Sequence, residues 1–242
     1  SHDSYGLGHL RRTLTLAGAL AGGIEDCAVL IVSGSPCASH FSVPAGVDVV
    51  KLPAATKDAA GAYASRTLPF DMRGLTRLRA GIVREVFAGF DPDLFIVDHQ
   101  PLGLAGELRV VLRDARERGV TTVLGLRDVI DEPRAVAEQW GQPDVRAALR
   151  EGYDRVVVYG APEVFDPRAE YPIPRELSER VEFAGYVVRP CELRGERPPH
   201  GRPQVLVTLG GGEDGEARVR TYLDAVGDGS GGRGGNASAT AT

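Results

Sequence analysis

The sequence predicts an α/β protein built on a doubly wound parallel sheet, and three observations carry that prediction. Short β-branched runs alternate with longer amphipathic ones along most of the chain, the signature of βαβ units. Several of the short runs are apolar without interruption, Leu94-Phe95-Ile96-Val97 and Val156-Val157-Val158 among them. Such runs suit strands covered by helices on both faces. Third, a glycine turn, Gly6-Leu7-Gly8-His9, runs straight into a helical pattern in which Leu10, Leu14, Ala17 and Leu20 recur at helical spacing.

Taken in chain order, the patterns predict helix over 10–21, strands over 27–33 and 47–52, and helix over 74–88. Strand 93–98, helix 102–118 and strand 121–126 follow. Next come helix 133–151, with Asp131 as its cap and Pro133 in its first turn. Gln142-Pro143 interrupts that helix, because the residue before a proline avoids helical geometry. Strands 155–159 and 181–185 complete the first domain, residues 1–190. Residues 191–203, rich in Pro, Arg and Gly, read as a linker. A new strand over 204–209, a Gly210-Gly211-Gly212 turn and a helix over 217–226 then begin a second α/β domain, 204–226, that stops short. Residues 227–242, made of small and polar types, predict a disordered tail. The chain also opens without an initiator Met and without the strand that such a glycine turn normally leaves. The expectation is therefore a fragment whose first, interior strand is missing. The neighbours of that strand would be left with unpaired backbone groups and a tendency to aggregate.

Composition narrows the function. The 242 residues are 43% hydrophobic and 25% charged, ordinary for a globular protein. A formal net charge of -5 argues against a general nucleic-acid binder. Cys27, Cys37 and Cys191 are scattered, match no zinc spacing and suggest reduced thiols in a cytoplasmic protein. No run is long and apolar enough for an integral membrane segment, which leaves peripheral association with a membrane surface open. No carboxylate cluster has metal-ligand spacing, so no metal site is predicted.

Four places concentrate chemistry. Gly6, Gly8 and His9 aim a helix N-terminus and an imidazole at one point, an anion site with a base beside it. The third glycine of a dinucleotide fingerprint would fall at Arg11, so a nicotinamide or flavin site is excluded. Asp98 and His99 end a buried strand, and Arg127 and Asp128 end another; ligands of open α/β sheets gather at such ends. Adjacent strand residues point to opposite faces, which disfavours a direct Asp98–His99 dyad and favours a carboxylate meeting His9 from across the cleft. Arg127 offers a planar fork to a phosphate or carboxylate. Gly210, Gly211 and Gly212, between a strand and a helix, let a diphosphate approach closely. The plainer readings are a helix-start histidine, strand-end caps, an Arg127–Asp128 surface pair, a solvated face for Arg11 and Arg12, and a packing role for Trp140.

Four segments together resemble a bacterial family of glycosyltransferases similar to the peptidoglycan glycosyltransferase MurG. They are Ser-His-Asp-Ser-Tyr-Gly-Leu-Gly-His-Leu-Arg-Arg (1–12), Pro-Asp-Leu-Phe-Ile-Val-Asp-His-Gln-Pro-Leu-Gly (92–103), Gly-Leu-Arg-Asp-Val-Ile-Asp (125–131) and Val-Thr-Leu-Gly-Gly-Gly-Glu-Asp-Gly (207–215). The resemblance spans residues 1 to about 225. It implies the two-domain GT-B fold, with a Rossmann-like N-terminal domain holding the acceptor and a C-terminal domain holding a nucleotide-diphosphate-sugar donor. By that resemblance His9 faces the cleft as the catalytic base or a cleft-lining group, Gly6, Gly8, Asp98, His99, Arg127 and Asp128 line the acceptor side, and Gly210, Gly211 and Gly212 meet the donor diphosphate. Nucleotide sugar and hydroxyl acceptor are then the partners, with no further cofactor. A nucleotide-sugar 2-epimerase of the same fold and a non-catalytic nucleotide- or sugar-binding module are the alternatives.

Overall fold

The computed structural model describes residues 7–57, 62–188 and 215–228. The chain divides into two compact units, Ser1–Arg194 and Gly195–Thr242. The first is mixed α/β. Its helix α1 (Leu7–Gly23) buries Leu10, Leu14 and Ala17, positions three and four apart that share one helix face. That face packs on β1 (Val29–Ser33) and β2 (Val47–Lys51), a parallel pair, through Val29, Ile31, Val47 and Val49. A short antiparallel pair, β3 (Ala55–Lys57) and β4 (Tyr63–Ser65), follows; its few residues carry no sequence pattern that predicts it.

Helix α2 (Met72–Phe90) starts where the Asp71 carboxylate accepts from the Gly74 amide at 2.7 Å. It buries Leu75, Arg79, Val83 and Phe87, each four residues from the last. Strand β5 (Leu94–Asp98) opens a four-stranded parallel sheet, completed by β6 (Thr121–Arg127), β7 (Arg155–Tyr159) and β8 (Val181–Phe183) in the order β5-β6-β7-β8. In β6, Thr122 to Leu126 are all buried, as the centre of a sheet covered on both faces requires. Helices α3 (Arg109–Arg118), α4 (Pro133–Trp140) and α5 (Pro143–Glu151) cover this sheet. The one-turn helices α6 (Pro167–Glu170) and α7 (Arg175–Ser178) lie between β7 and β8.

Three expectations are corrected. The single sheet is divided: among the described strands β1 pairs only with β2, and β5 only with β6, so the parallel strands form two sheets. They stay neighbours, since Val32 of β1 and Phe95 of β5 pack on one cluster with Leu52, Val83 and Phe87. The helix expected over 102–118 begins only at Arg109. Ahead of it, Gly103 (φ 66°) and Ala105 (φ 52°) hold left-handed geometry around a 3-10 turn, Leu104–Gly106, which no continuous helix tolerates. Asp131 does not cap α4: its carboxylate accepts from the Glu132 amide, and Glu132 occupies the cap position without a side-chain bond. Pro133 does sit in the first turn, and Pro143 starts a second helix where the interruption was expected. Trp140 is 3% exposed within the main core.

In the second unit, α8 (Gly215–Asp228) covers the expected helix 217–226 and extends over 227–228, which were expected to open the disordered tail 227–242. The linker 191–203, the strand 204–209, Gly6, Gly210, Gly211, Gly212 and the tail 229–242 lie outside the described residues. No described helix is long and apolar enough to cross a membrane.

Candidate functional site

The carboxyl ends of β5, β6 and β7 converge with the first turns of α1. Asp98 closes β5, Arg127 closes β6 and Tyr159 closes β7, in parallel register with Gly125 between them. This is the end of a parallel sheet at which ligands gather. Gly125 makes the convergence feasible: a Cβ there would lie 2.2 Å from Tyr159 Oη. Gly160, just past β7, is likewise close to Asp128, whose Cβ would sit 2.8 Å from an added methyl.

His9 and Asp98 are the centre of the site. His9 Nδ1 lies 2.8 Å from Asp98 Oδ2, with side-chain exposures of 16% and 9%. Arg12, one helical turn after His9, places Nη2 at 2.7 Å from Asp98 Oδ1 and 2.9 Å from His9 Nδ1. Nδ1 cannot serve both neighbours. If it accepted from Arg12, its lone pair would face an ionised carboxylate. If it carries the proton, it donates to Asp98, and Arg12 still has Asp98 Oδ1 as acceptor. The second arrangement gives each Asp98 oxygen a donor and leaves only the donor–donor approach of Nδ1–H and Arg12, a smaller penalty than a lone pair facing the carboxylate, so we assign the Nδ1–H tautomer with the imidazole lone pair on Nε2. Burial raises the Asp98 pKa, but the His9 hydrogen bond and the Arg12 guanidinium outweigh it and hold the carboxyl well below its usual range. Asp98 is thus an anion that orients the His9 ring.

His99 does not pair with Asp98. Its backbone turns left-handed (φ 70°), and its amide extends the ladder by donating to the Gly125 carbonyl at 2.8 Å. The ring comes 5.0 Å from that of His9, centroid to centroid, tilted by 51°. Burial first, then the nearby charges of His9, Arg127 and Arg12, push its pKa down to about 4 against the pull of Asp98. His99 is therefore neutral at pH 7, a polar but uncharged wall beside His9.

The loop that carries His99 is fixed from three sides. Tyr153 Oη, buried, donates to the Pro101 carbonyl. Gln139 Nε2 donates to Gln100 Oε1 at 2.7 Å. Arg79, 2% exposed, forks onto Glu107 through Nε and Nη2, the latter at 2.8 Å, while its Nη1 reaches the Pro53 carbonyl at 2.7 Å. Glu107 Oε1 also accepts from the Leu104 amide at 3.2 Å.

Beside this centre lies a pocket of about 500 Å³ lined by Gly8, Arg11, Arg12, Thr15, Arg127, Asp128, Tyr159, Tyr186 and Val187. Asp128 accepts from its neighbour Val129 N at 2.8 Å and from Tyr186 Oη at 3.0 Å. Arg127 bends back to the Ile130 carbonyl instead of pairing with Asp128, which removes the expected surface pair. Arg12 stacks 5.2 Å from the centroid of Tyr159, whose hydroxyl is pushed up to about 12 by burial and by Asp98.

Of the sequence candidates, the fold brings Gly8, His9, Asp98, His99, Arg127 and Asp128 to one place. Gly6 and Gly210–Gly212 are not described. Tyr159 and Tyr186 are contributors that no sequence candidate named, and Arg12, read mainly as part of a solvated helix face, joins the site instead. Arg12 had a signal, since its i+3 spacing from His9 puts both on one face. Tyr159 had one as well, as the last residue of the strand expected over 155–159, whereas Tyr186, three residues beyond β8, had none. No family model, no curated protein and no solved structure matches the chain.

Proposed function

We propose that this chain is the acceptor-side part of a GT-B glycosyltransferase, acting in the cytoplasm on a nucleotide-diphosphate sugar and a hydroxyl acceptor. The observation that carries the reading is the 2.8 Å contact between His9 and Asp98 at the carboxyl end of the parallel sheet. A hydroxyl attacks an anomeric carbon well only if its proton is taken as the bond forms. His9 Nε2 takes that proton, Asp98 steadies the resulting imidazolium, and the glycosidic bond forms as the bond to the diphosphate breaks. The nucleoside diphosphate departs with the electron pair. The motif resemblance supplies the donor side: Gly210, Gly211 and Gly212 would face the diphosphate.

The test is acceptor-dependent release of nucleoside diphosphate by the protein expressed from its full reading frame. His9→Gln should lower kcat by about 10²–10⁴-fold, the usual contribution of a general base. An unchanged rate in a folded His9→Gln protein removes His9 from the chemistry. Conversion of the nucleotide sugar without any acceptor would replace the transferase with an epimerase.

A further inference from the structure

We infer that the pocket beside His9 seats an oxyanion, a carboxylate or phosphate borne by the acceptor. Only the word acceptor rests on the transferase reading; the oxyanion rests on charge and geometry.

A volume of about 500 Å³ is that of a small-ligand site. Three guanidiniums line it, Arg11, Arg12 and Arg127, against one lining carboxylate, Asp128. Arg12 is matched by Asp98 just behind the wall. Arg11 and Arg127 have neutral partners instead: Arg11 lies 5.7 Å from the Phe41 ring centroid, and Arg127 donates to the Ile130 carbonyl. Those contacts hold each guanidinium in place without cancelling its charge. Among the described residues neither forms an ion pair. The Asp128 oxygens are taken up by Val129 N and Tyr186 Oη. Counting Asp98 with Asp128 against the three arginines leaves one positive charge, in a chain whose net charge is -5. The excess is local and belongs to no general basic surface. It is also supplied by arginine, whose planar fork matches the two oxygens of a carboxylate or phosphate. Thr15, Tyr159 and Tyr186 add neutral polar lining for the rest of the molecule. An anion seated here anchors the acceptor within reach of His9, which stands on the same first turns of α1 as Gly8 and Arg11.

The experiment is an NMR titration of the arginine Nε–Hε signals, with inorganic phosphate and with acetate in separate arms at low ionic strength. Either ion should move the Arg11 and Arg127 signals saturably. Arg11→Gln and Arg127→Gln should each weaken binding by about tenfold, the loss of one charge-assisted contact. Arg84→Gln, on the exposed face of α2, should leave it unchanged, and Arg127→Lys should fall between. Saturation by phosphate alone assigns a phosphate, and by acetate alone a carboxylate. Absence of saturable shifts with both ions overturns the inference, as does equal weakening by Arg84→Gln, which would mean diffuse charge. Sugar transfer has no part in the readout, so a failed transferase assay leaves this result standing, and the reverse.

Discussion

Asp98 sets the electrostatics of the site, because it faces both a cation and an imidazole with little water around it. Asp98→Asn keeps the shape but leaves Arg12 without its counter-charge. A fully buried pair broken this way costs about 3–5 kcal/mol. Arg12 keeps 15% exposure, so about 2–3 kcal/mol is the expected loss, read from chemical denaturation. His99 makes a separate prediction about pH. Its folded pKa, about 4, lies below the ordinary value of 6.5. Between those values the unfolded chain binds the proton that the folded one refuses. Stability is therefore complete above about pH 6.5 and falls as pH drops toward about 4. About 3 kcal/mol is the ceiling, reduced by solvent screening. His99→Asn, which tolerates the left-handed backbone, should flatten the denaturation midpoint across that window. A midpoint that falls equally steeply in the variant would assign the loss to other groups. At this scale the sequence made the partners legible where spacing or strand ends governed them, as for His9, Asp98 and Arg127. It misplaced Arg12, treated as a solvated residue, because a charged side chain looks solvated until the carboxylate that buries it arrives from 86 residues away.

Two elements carry the geometry beneath those residues. Strand β6 must be smooth at Gly125 for Tyr159 to lie across it. Gly125→Ala puts a methyl into the phenol, and overpacking of that kind costs about 1–3 kcal/mol. Part of the strain can be relieved if Tyr159 swings out, which would loosen its contact with Arg12; a melt and the tyrosine fluorescence together read both effects. The second element is the loop between β5 and α3, clamped by Arg79 and Glu107. Glu107→Gln removes the counter-charge of an arginine only 2% exposed, with an expected loss of about 3–5 kcal/mol. A loss below about 1 kcal/mol would show that the fork is not what holds the loop. Long periodic helices and continuous apolar strands were readable from the chain. The hairpin β3–β4 and the turn at Gly103–Gly106 were not. Three-residue strands have no period to detect, and left-handed geometry at Ala105 contradicts the residue's own preference.

At the scale of the whole molecule, the described parallel strands of the first unit form two sheets in place of the expected one. On β5, Leu94 and Ile96 are 42% and 39% exposed although the strand reads as fully buried. A half-covered apolar edge invites pairing with another strand. Hydrogen exchange should therefore be faster in β5 than in β6 and β7, which have partners on both sides among the described strands, with association rising as concentration increases. Uniform protection across all the parallel strands would mean that these edges are already covered. The order of strands and helices was legible because alternation and burial leave a mark on every segment. What joins these scales is the His9–Asp98 contact, where the start of α1 meets the end of β5. The most direct measurement of it is the ¹⁵N shift pair of the neutral His9 imidazole. A protonated Nδ1 and an unprotonated, pyridine-like Nε2 are expected in the native protein, moving to a mixture of tautomers in Asp98→Asn. A proton resident on Nε2 in the native protein would contradict it.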